Sequence, residues 1–506
     1  MKTIKAKICV VGSGVAGCLC AKYLATTGNE IVILERGARV THSWRMQTRE
    51  HEQPVPTAEH HHAIVQGWKE KVFRYVYAAG GSTNHWTGQT PRFLPDDFRM
   101  KSAYGVMEDW PIGYEELEPY YCFAEEELAI AGASDNPRIP RSRPYPQPAH
   151  PFSPVDRILQ NCFPPGTIVS CPQARPTRDV GQRPSCCGSA VCNLCPVDSK
   201  YTPMNSHIPE LEGLPNVQFL YETVVLNLHS NGGRRIDSVT ARQKDQELKI
   251  EADLFVLAAN GLENPAIILR SKEVKHHPLV GKYLFDHQAL HVYVITSREC
   301  YPEHGSTVST AHSYHFYDGD FRTNRTAALT EIFNVAAINI SDLSYSVAMD
   351  QRLTGTALRK EVTRQFRSQI GFAFLLEDLP DQNRFLRIGS KRNSAGLPLT
   401  EIYYPKHSNY LELTQKHILE VLPKLLVELA PRKIIPESVG GAGHILGTCR
   451  MGDFKTGVVD KTLRYHEMDN LFILGGSAFT TYSPSNPTLT IAALSIRLGK
   501  HLQSFS

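Results

Sequence analysis

The stretch "IKAKICVVGSGVAGCLCAKYLATTGNEIVILERG", residues 4–37, decides the fold. Ile8 to Val11 is a short apolar run rich in β-branched side chains, as in a buried strand. Gly12, Gly14 and Gly17 follow it as G-x-G-x-x-G. Val15 to Ala25 then has helical period, Gly28–Asn29 reads as a turn, and Ile31 to Leu34 is a second strand that ends at Glu35. Strand, glycine turn, helix, strand and terminal acid together form the βαβ fingerprint of a dinucleotide site. Gly12 allows the tight turn, Gly14 lets backbone approach a pyrophosphate, and Gly17 lets helix and strand pack closely. Val15 and Ala16 open the helix, whose free N–H groups suit phosphate. Glu35, followed by Arg36, is placed to accept hydrogen bonds from a ribose. The fingerprint alone does not distinguish FAD from NAD.

Working outward, 506 residues imply two or three domains. A hydrophobic content of 42% and a charged content of 21% are those of a globular protein. A net charge of +3 is too weak for a nucleic-acid binder of this size. No apolar run reaches the length of a membrane span. The basic start "MKTIKAKICVVGSG" runs into the glycine motif without a small-residue cleavage site, so it reads as the first strand and not as a signal peptide. A cytoplasmic location is the default expectation, and export on a partner's signal would look the same. Cys9, Cys18, Cys20, Cys122 and Cys300 lie in apolar or mixed contexts and read as small buried hydrophobes.

Further stretches narrow the family. They are "AAGGSTNHWTGQTPRFLPDDF" (78–98), "DWPIGYEELEPYYCFAEEEL" (109–128), "ADLFVLAANGLENPAIILRS" (252–271), "LVGKYLFDH" (279–287), "GHILGTCRMGD" (443–453) and "NLFILGGSAFTTYSPSNPTLTIAALSIRLGKHL" (470–502). In this order they resemble the glucose–methanol–choline (GMC) oxidoreductases. The resemblance runs from residue 5 to 502, with a poorly matched middle at roughly 290–430. It implies an α/β fold: a Rossmann-like FAD-binding domain assembled from discontinuous segments, plus an α+β substrate-binding domain with an antiparallel sheet. The FAD pieces would be 1–110, 200–290 and 435–506. The proline-rich segment 111–199 would be an excursion covering the flavin. The substrate domain would be 291–434, a stretch of β-type segments such as "LHVYVIT" and "FRSQIGFAFLLEDL". By the same resemblance Gly80, Gly81, Ser82, Asn84, His85, Trp86, Val225, Ala259, Gly476, Asn486, Pro487 and Thr488 join the glycine-turn residues at the cofactor.

Members of this family oxidise an alcohol by moving a hydride from carbon to flavin N5. That chemistry needs a base for the hydroxyl proton and donors for the developing oxyanion. The matching base is His444, and its matching partner is Asn486, which can hydrogen-bond the substrate oxygen without titrating. The substrate implied is a sugar, glycoside or polyol. In some similar members, such as pyranose oxidases, the histidine matching His85 carries FAD covalently, and in others it does not. The triplet His60–His61–His62 reads as solvated surface or a flavin-side loop, because adjacent histidines on one segment converge poorly on one ion.

The loop "SCCGSAVCNLCP" (185–196) holds Cys186, Cys187, Cys192 and Cys195. Disulfides, zinc, an iron–sulfur cluster and a loop without metal all remain open from the residues themselves. The loop resembles the C-C-x4-C-x3-C-P segment of three-subunit bacterial sugar dehydrogenases. There, three cysteines hold a [3Fe–4S] cluster that passes electrons to a cytochrome. The resemblance implies such a cluster on Cys186, Cys187 and Cys192, with Cys195 arriving one residue early, and a small subunit and a cytochrome or ferredoxin as partners. Two other readings stand beside this wired dehydrogenase. One is an oxidase that hands electrons to O₂, and the other is a flavoprotein scaffold without turnover.

Overall fold

The computed structural model describes residues 1–50, 62–68, 71–336, 338–393, 396–406 and 408–504. A five-stranded parallel sheet forms the nucleotide half. Its order is Leu471–Ile473, Leu254–Leu257, Ile8–Val11, Ile31–Leu34, Val217–Leu220. Every residue of Ile8–Val11 and Ile31–Leu34 is buried, as expected of parallel strands covered on both faces. The first helix spans Val15–Ala25 and packs on the last, Thr488–Gln503. Gly12 has φ +106, and a Cβ on Gly17 would lie 1.9 Å from the Gly12 carbonyl oxygen. Both glycines are therefore obligatory for this turn and its packing. A separate four-stranded sheet pairs Lys2–Lys5 with Gln246–Glu251 and continues through Ser238–Gln243 and Thr223–His229.

The second large layer is a six-stranded antiparallel sheet. Its order is Pro431–Val439, Gln288–Thr296, Gln369–Leu376, Ala328–Phe333, Ala311–Ser313, Ile168–Ser170. Two helices, Pro154–Cys162 and Asn409–Leu425, share one core with its outer face through residues such as Leu159, Ile418 and Leu422. The two-residue strand period then decides what faces the nucleotide half. Ala328 and Ile332 belong to the helix-side core and Leu329 to the nucleotide-side core, so Glu331 points the same way as Leu329.

Two expectations need correction. The boundaries at 290/291 and 434/435 fall inside the strands Gln288–Thr296 and Pro431–Val439, because one sheet must keep whole strands. Ile168–Ser170, from the expected flavin-covering excursion, is an edge strand of the substrate sheet. The α+β expectation for the substrate domain holds: beside its β-segments the middle carries helices at Ile340–Gln351, Gly355–Arg367 and Asn409–Leu425. His60 and His61 lie outside the described residues. His62 begins a strand parallel to Pro398–Tyr404, with its Nδ1 3.2 Å from the Tyr75 hydroxyl. Arg322 clamps the two halves: it bonds Asp97 at 2.9 Å and Glu377 at 2.9 Å, with all three side chains fully buried. Cys9, Cys18, Cys20, Cys122 and Cys300 are all buried. Among the described residues no helix is long and apolar enough to cross a membrane.

Candidate active site

A cavity of about 1070 Å³ lies between the glycine turn and the antiparallel sheet. Gly12, Gly14, Val15, Ala16, Glu35 and Arg36 line one end. Gly80, Gly81, Ser82, His85 and Trp86 line its wall, with Val225, Ala259, Gly476, Pro487 and Thr488. A Cβ on Gly14 would meet nothing within 4 Å, so the turn leaves open space beside its backbone. The helices Val15–Ala25 and Thr488–Gln503 both start at this cavity, and neither N-terminus is capped by a side chain. Their free N–H groups and positive dipole ends suit a pyrophosphate.

Glu35 accepts hydrogen bonds from the Ser13 N–H at 3.0 Å, the Ser13 hydroxyl at 2.7 Å and the Gly37 N–H at 2.7 Å. Its carboxyl therefore braces the glycine turn as well as lining the cavity. Two expected cofactor residues do not line it. Gly17 is buried behind the turn, and Asn84 donates to the Ala79 and Gly81 carbonyls at 3.0 and 2.8 Å, pinning the loop that carries His85. Burial, helped by the Lys200 and Arg45 charges, pushes His85 down to about 4. Its Nε2 is buried without a partner among the described residues.

His444 lines the same cavity. A short antiparallel contact between Phe285 and Leu446 lays the segments around 286 and 444 side by side. Asp286 Oδ1 accepts the His444 N–H at 2.8 Å, and Asp286 Oδ2 accepts from Lys71 Nζ at 2.5 Å. Lys71 and Asp286 have fully buried side chains. His287 Nε2 lies 2.5 Å from the Ser483 carbonyl, and His287 Nδ1 lies 2.9 Å from His444 Nδ1.

These contacts determine where the hydrogens sit. A carbonyl only accepts, so His287 Nε2 carries a hydrogen. Burial, and then the His444 charge, push His287 down to about 3, so its ring is neutral and its Nδ1 is bare. His444 must then donate through Nδ1. Burial pushes His444 down to about 4, with Lys71 acting the same way and Asp286 opposing. A neutral His444 that donates through Nδ1 keeps Nε2 as a lone pair, which is what a base requires. Asn486 also lines the cavity, and its Nδ2 donates to Glu331 Oε1 at 3.2 Å.

Lys71, Asp286, His287 and Glu331 are functional neighbours that the residue-by-residue reading missed. Asp286 and His287 close the stretch "LVGKYLFDH", but nothing local says they face residue 444. Glu331 had a visible signal, a lone acid in the apolar run "ALTEIF".

The cysteine loop departs from expectation. Asn193 and Leu194 line the cavity, so the loop does lie at the site. Its four thiols differ in exposure: Cys187 is exposed, Cys186 half-buried, and Cys192 and Cys195 are buried. Cys192 Sγ accepts the Val308 N–H at 3.3 Å. Among the described residues, no three His, Cys, Asp or Glu side chains form a set able to hold a metal ion. The expected ligands Cys186, Cys187, Cys192 and Cys195 thus do not fit a cluster as folded here. The loop is instead tied down by buried Lys200, whose Nζ donates to the Trp86 carbonyl at 2.6 Å and the Asn193 carbonyl at 2.8 Å.

Comparison with known proteins agrees with this architecture. Models described as GMC oxidoreductase match residues 169–289 and 402–495. A model described as an NAD(P)-binding Rossmann-like domain matches residues 10–76. The chain is 28% identical to the fructose dehydrogenase large subunit of Gluconobacter japonicus, over 98% of this chain and 97% of that one. It is 28% identical to 2-methyl-1,2-propanediol dehydrogenase of Mycolicibacterium austroafricanum, over 98% and 94%. It is 25% identical to paromamine 6'-oxidase of Streptomyces fradiae, over 97% and 90%. Among solved structures, pyridoxine 4-oxidase from Mesorbium loti superposes with a TM-score of 0.67 at 18% identity, covering 98% of each chain. The uncapped helix ends, the open backbone at Gly14 and the unpartnered His85 Nε2 fit a flavin dinucleotide, and the GMC family models support FAD as the cofactor.

Proposed function

This chain is a member of the GMC oxidoreductases, FAD-dependent enzymes acting on CH–OH groups, and from that premise we propose that it oxidises a secondary or primary hydroxyl of a sugar, glycoside or polyol with His444 as the base. The observation that carries the reading is the chain of contacts Ser483–His287–His444, which leaves His444 Nε2 bare at the cavity. Bound FAD supplies the two-electron acceptor for hydride. The protein does the rest. His444 Nε2 takes the hydroxyl proton, because an alkoxide releases hydride far more readily than an alcohol does. The His444 Nδ1–H, held on His287, keeps the ring from turning as the charge forms. Asp286 stabilises the imidazolium through the His444 backbone and its own charge, and Lys71 prevents that charge from protonating His444 early. Asn486 contacts the substrate oxygen. The test is anaerobic mixing with a panel of sugars, glycosides and polyols. Bleaching of the flavin by at least one of them is expected, and a flavin that none reduces would favour the scaffold reading.

Electrons are proposed to leave on the side closed by residues 186–195, where Asn193 and Leu194 meet the cavity. Among the described residues the thiols of that loop are not arranged as ligands for a cluster. From that geometry, protein purified without oxygen should carry FAD without stoichiometric iron. Iron in stoichiometric excess over FAD, with an EPR signal lost in Cys187→Ser, would reinstate the cluster and a one-electron partner such as a cytochrome subunit. Peroxide released in step with turnover in air would identify O₂ as the acceptor.

A further inference from the structure

The substrate side of the cavity holds a polar chain that His444 does not touch. It runs His312, Gln89, Glu331, Asn486. His312 Nε2 lies 2.6 Å from Gln89 Oε1, and the Cys171 thiol donates to the same oxygen at 3.4 Å. Burial pushes His312 down to about 3, so its ring is neutral and Nε2 carries the hydrogen that an amide oxygen can accept. Two donors on Oε1 fix the Gln89 amide, whose Nε2 donates to Glu331 Oε2 at 2.8 Å. That carboxyl oxygen is an acceptor in either protonation state. Only Oε1 is left to carry a proton, and it faces Asn486.

We propose that Glu331 is a positioning residue that decides which end of the Asn486 amide meets the substrate oxygen. The proposal rests on the alcohol-oxidising reading above. With a carboxylate at 331, Asn486 Nδ2 is spent on Glu331, and Asn486 Oδ1 is buried with no partner among the described residues. A buried unpaired carbonyl is costly, and an acceptor is the wrong group to hold a developing alkoxide. With a proton on Oε1, a half-turn of the amide resolves both problems. Glu331 then donates to Asn486 Oδ1, and Asn486 Nδ2 donates into the cavity. An amide turned end for end occupies the same space, so the exchange needs no repacking.

The surroundings favour the acid. Burial raises the Glu331 pKa; the hydrogen bonds from Gln89 and Asn486 and the Arg175 charge oppose it. The other titratable groups around it are uncharged at neutral pH: His312 on the paired strand, and Cys171, which burial raises. The other flanking strand offers Ala373, paired with Glu331, and Leu375, which lines the cavity. The proton stays on Glu331 throughout turnover, so it is not a second base.

The test uses the holoenzyme, Glu331→Gln and Glu331→Met. A glutamine must turn its oxygen to Gln89 and its NH₂ to Asn486, which reproduces the acid. Flavin reduction by a substrate of the wild type should stay within about threefold in Glu331→Gln, and its fall at alkaline pH should vanish. In Glu331→Met reduction should slow about tenfold or more, with substrate Kd less affected, as for a misplaced oxyanion donor. The wild-type infrared spectrum at neutral pH should contain a protonated-carboxyl stretch that Glu331→Gln lacks. A Glu331→Gln enzyme as slow as Glu331→Met, or the absence of that band, would overturn the proposal. If Glu331→Met does not fold, the Glu331→Gln pH profile and the band still decide. If no alcohol reduces the wild-type flavin, the functional reading fails, while the band still reports the state of Glu331.

Discussion

Replacing His444 by alanine leaves a folded, flavin-loaded protein whose flavin is reduced by substrate about 10²–10⁴-fold more slowly, the usual contribution of a positioned base. Stopped-flow absorbance under anaerobic conditions reads the step directly, and near-normal reduction would remove His444 from the mechanism. Flavin retention is expected because the glycine turn, Glu35 and both helix N-termini belong to other segments. The pH dependence follows from the same surroundings. The base must be unprotonated, and burial with the Lys71 charge lowers His444 to about 4. Therefore kcat/KM should hold steady from neutral pH downward and fall only as the pH approaches about 4. An acid limb at the ordinary histidine value would mean that His444 is more solvated than the cavity geometry implies.

Lys71→Met should be the most destabilising single change near the site. Lys71 is the ion-pair partner of Asp286, 215 residues away, and neither side chain touches solvent. Removing one member of a buried pair strands the other charge, at a cost of about 3–5 kcal/mol. Burial alone would raise the Asp286 pKa, but the Lys71 ammonium and the His444 N–H hold it low, so the carboxylate persists. Without Lys71, the Asp286 charge acts unopposed on His444 and raises its pKa. The acid limb of kcat/KM should then move to higher pH, since more base is needed to free Nε2. Urea midpoints and pH profiles of Lys71→Met and of Lys71→Met/Asp286→Asn provide the check. The double variant buries no unpaired charge and should be more stable than the single one. A Lys71→Met protein with wild-type stability and an unmoved limb would show that the pair does neither job.

The nucleotide half was legible in the sequence because its determinants are local. Ile8–Val11, the helix Val15–Ala25 and Ile31–Leu34 stand in the structure at the bounds that residue pattern alone indicated. Steric demands within one βαβ unit force glycine at 12 and 17, so a single short segment carries the whole signal. The cysteine loop was not legible in the same way. Spacing places thiols in one segment, but whether they converge depends on what that segment packs against, here Lys200 and the Val308 backbone.

His444 and Asn486 could be singled out from the sequence, but their working states could not. The hydrogen on His444 Nδ1 is set by His287, 157 residues earlier, and by the Ser483 carbonyl beyond it. Asn486 is oriented by Glu331, 155 residues earlier, which Gln89 holds from 242 residues away. Such contacts exist only once the antiparallel sheet closes over the nucleotide half and the segments at 285 and 446 pair. By itself, the sequence determined the dinucleotide fold, because short-range sterics and periodicity encode it, while the candidate reacting residues His444 and Asn486 came from the family resemblance. The tertiary structure alone decided which nitrogen is bare, which carboxyl is buried and which side chain holds the Asn486 amide, because burial and long-range hydrogen bonds set protonation.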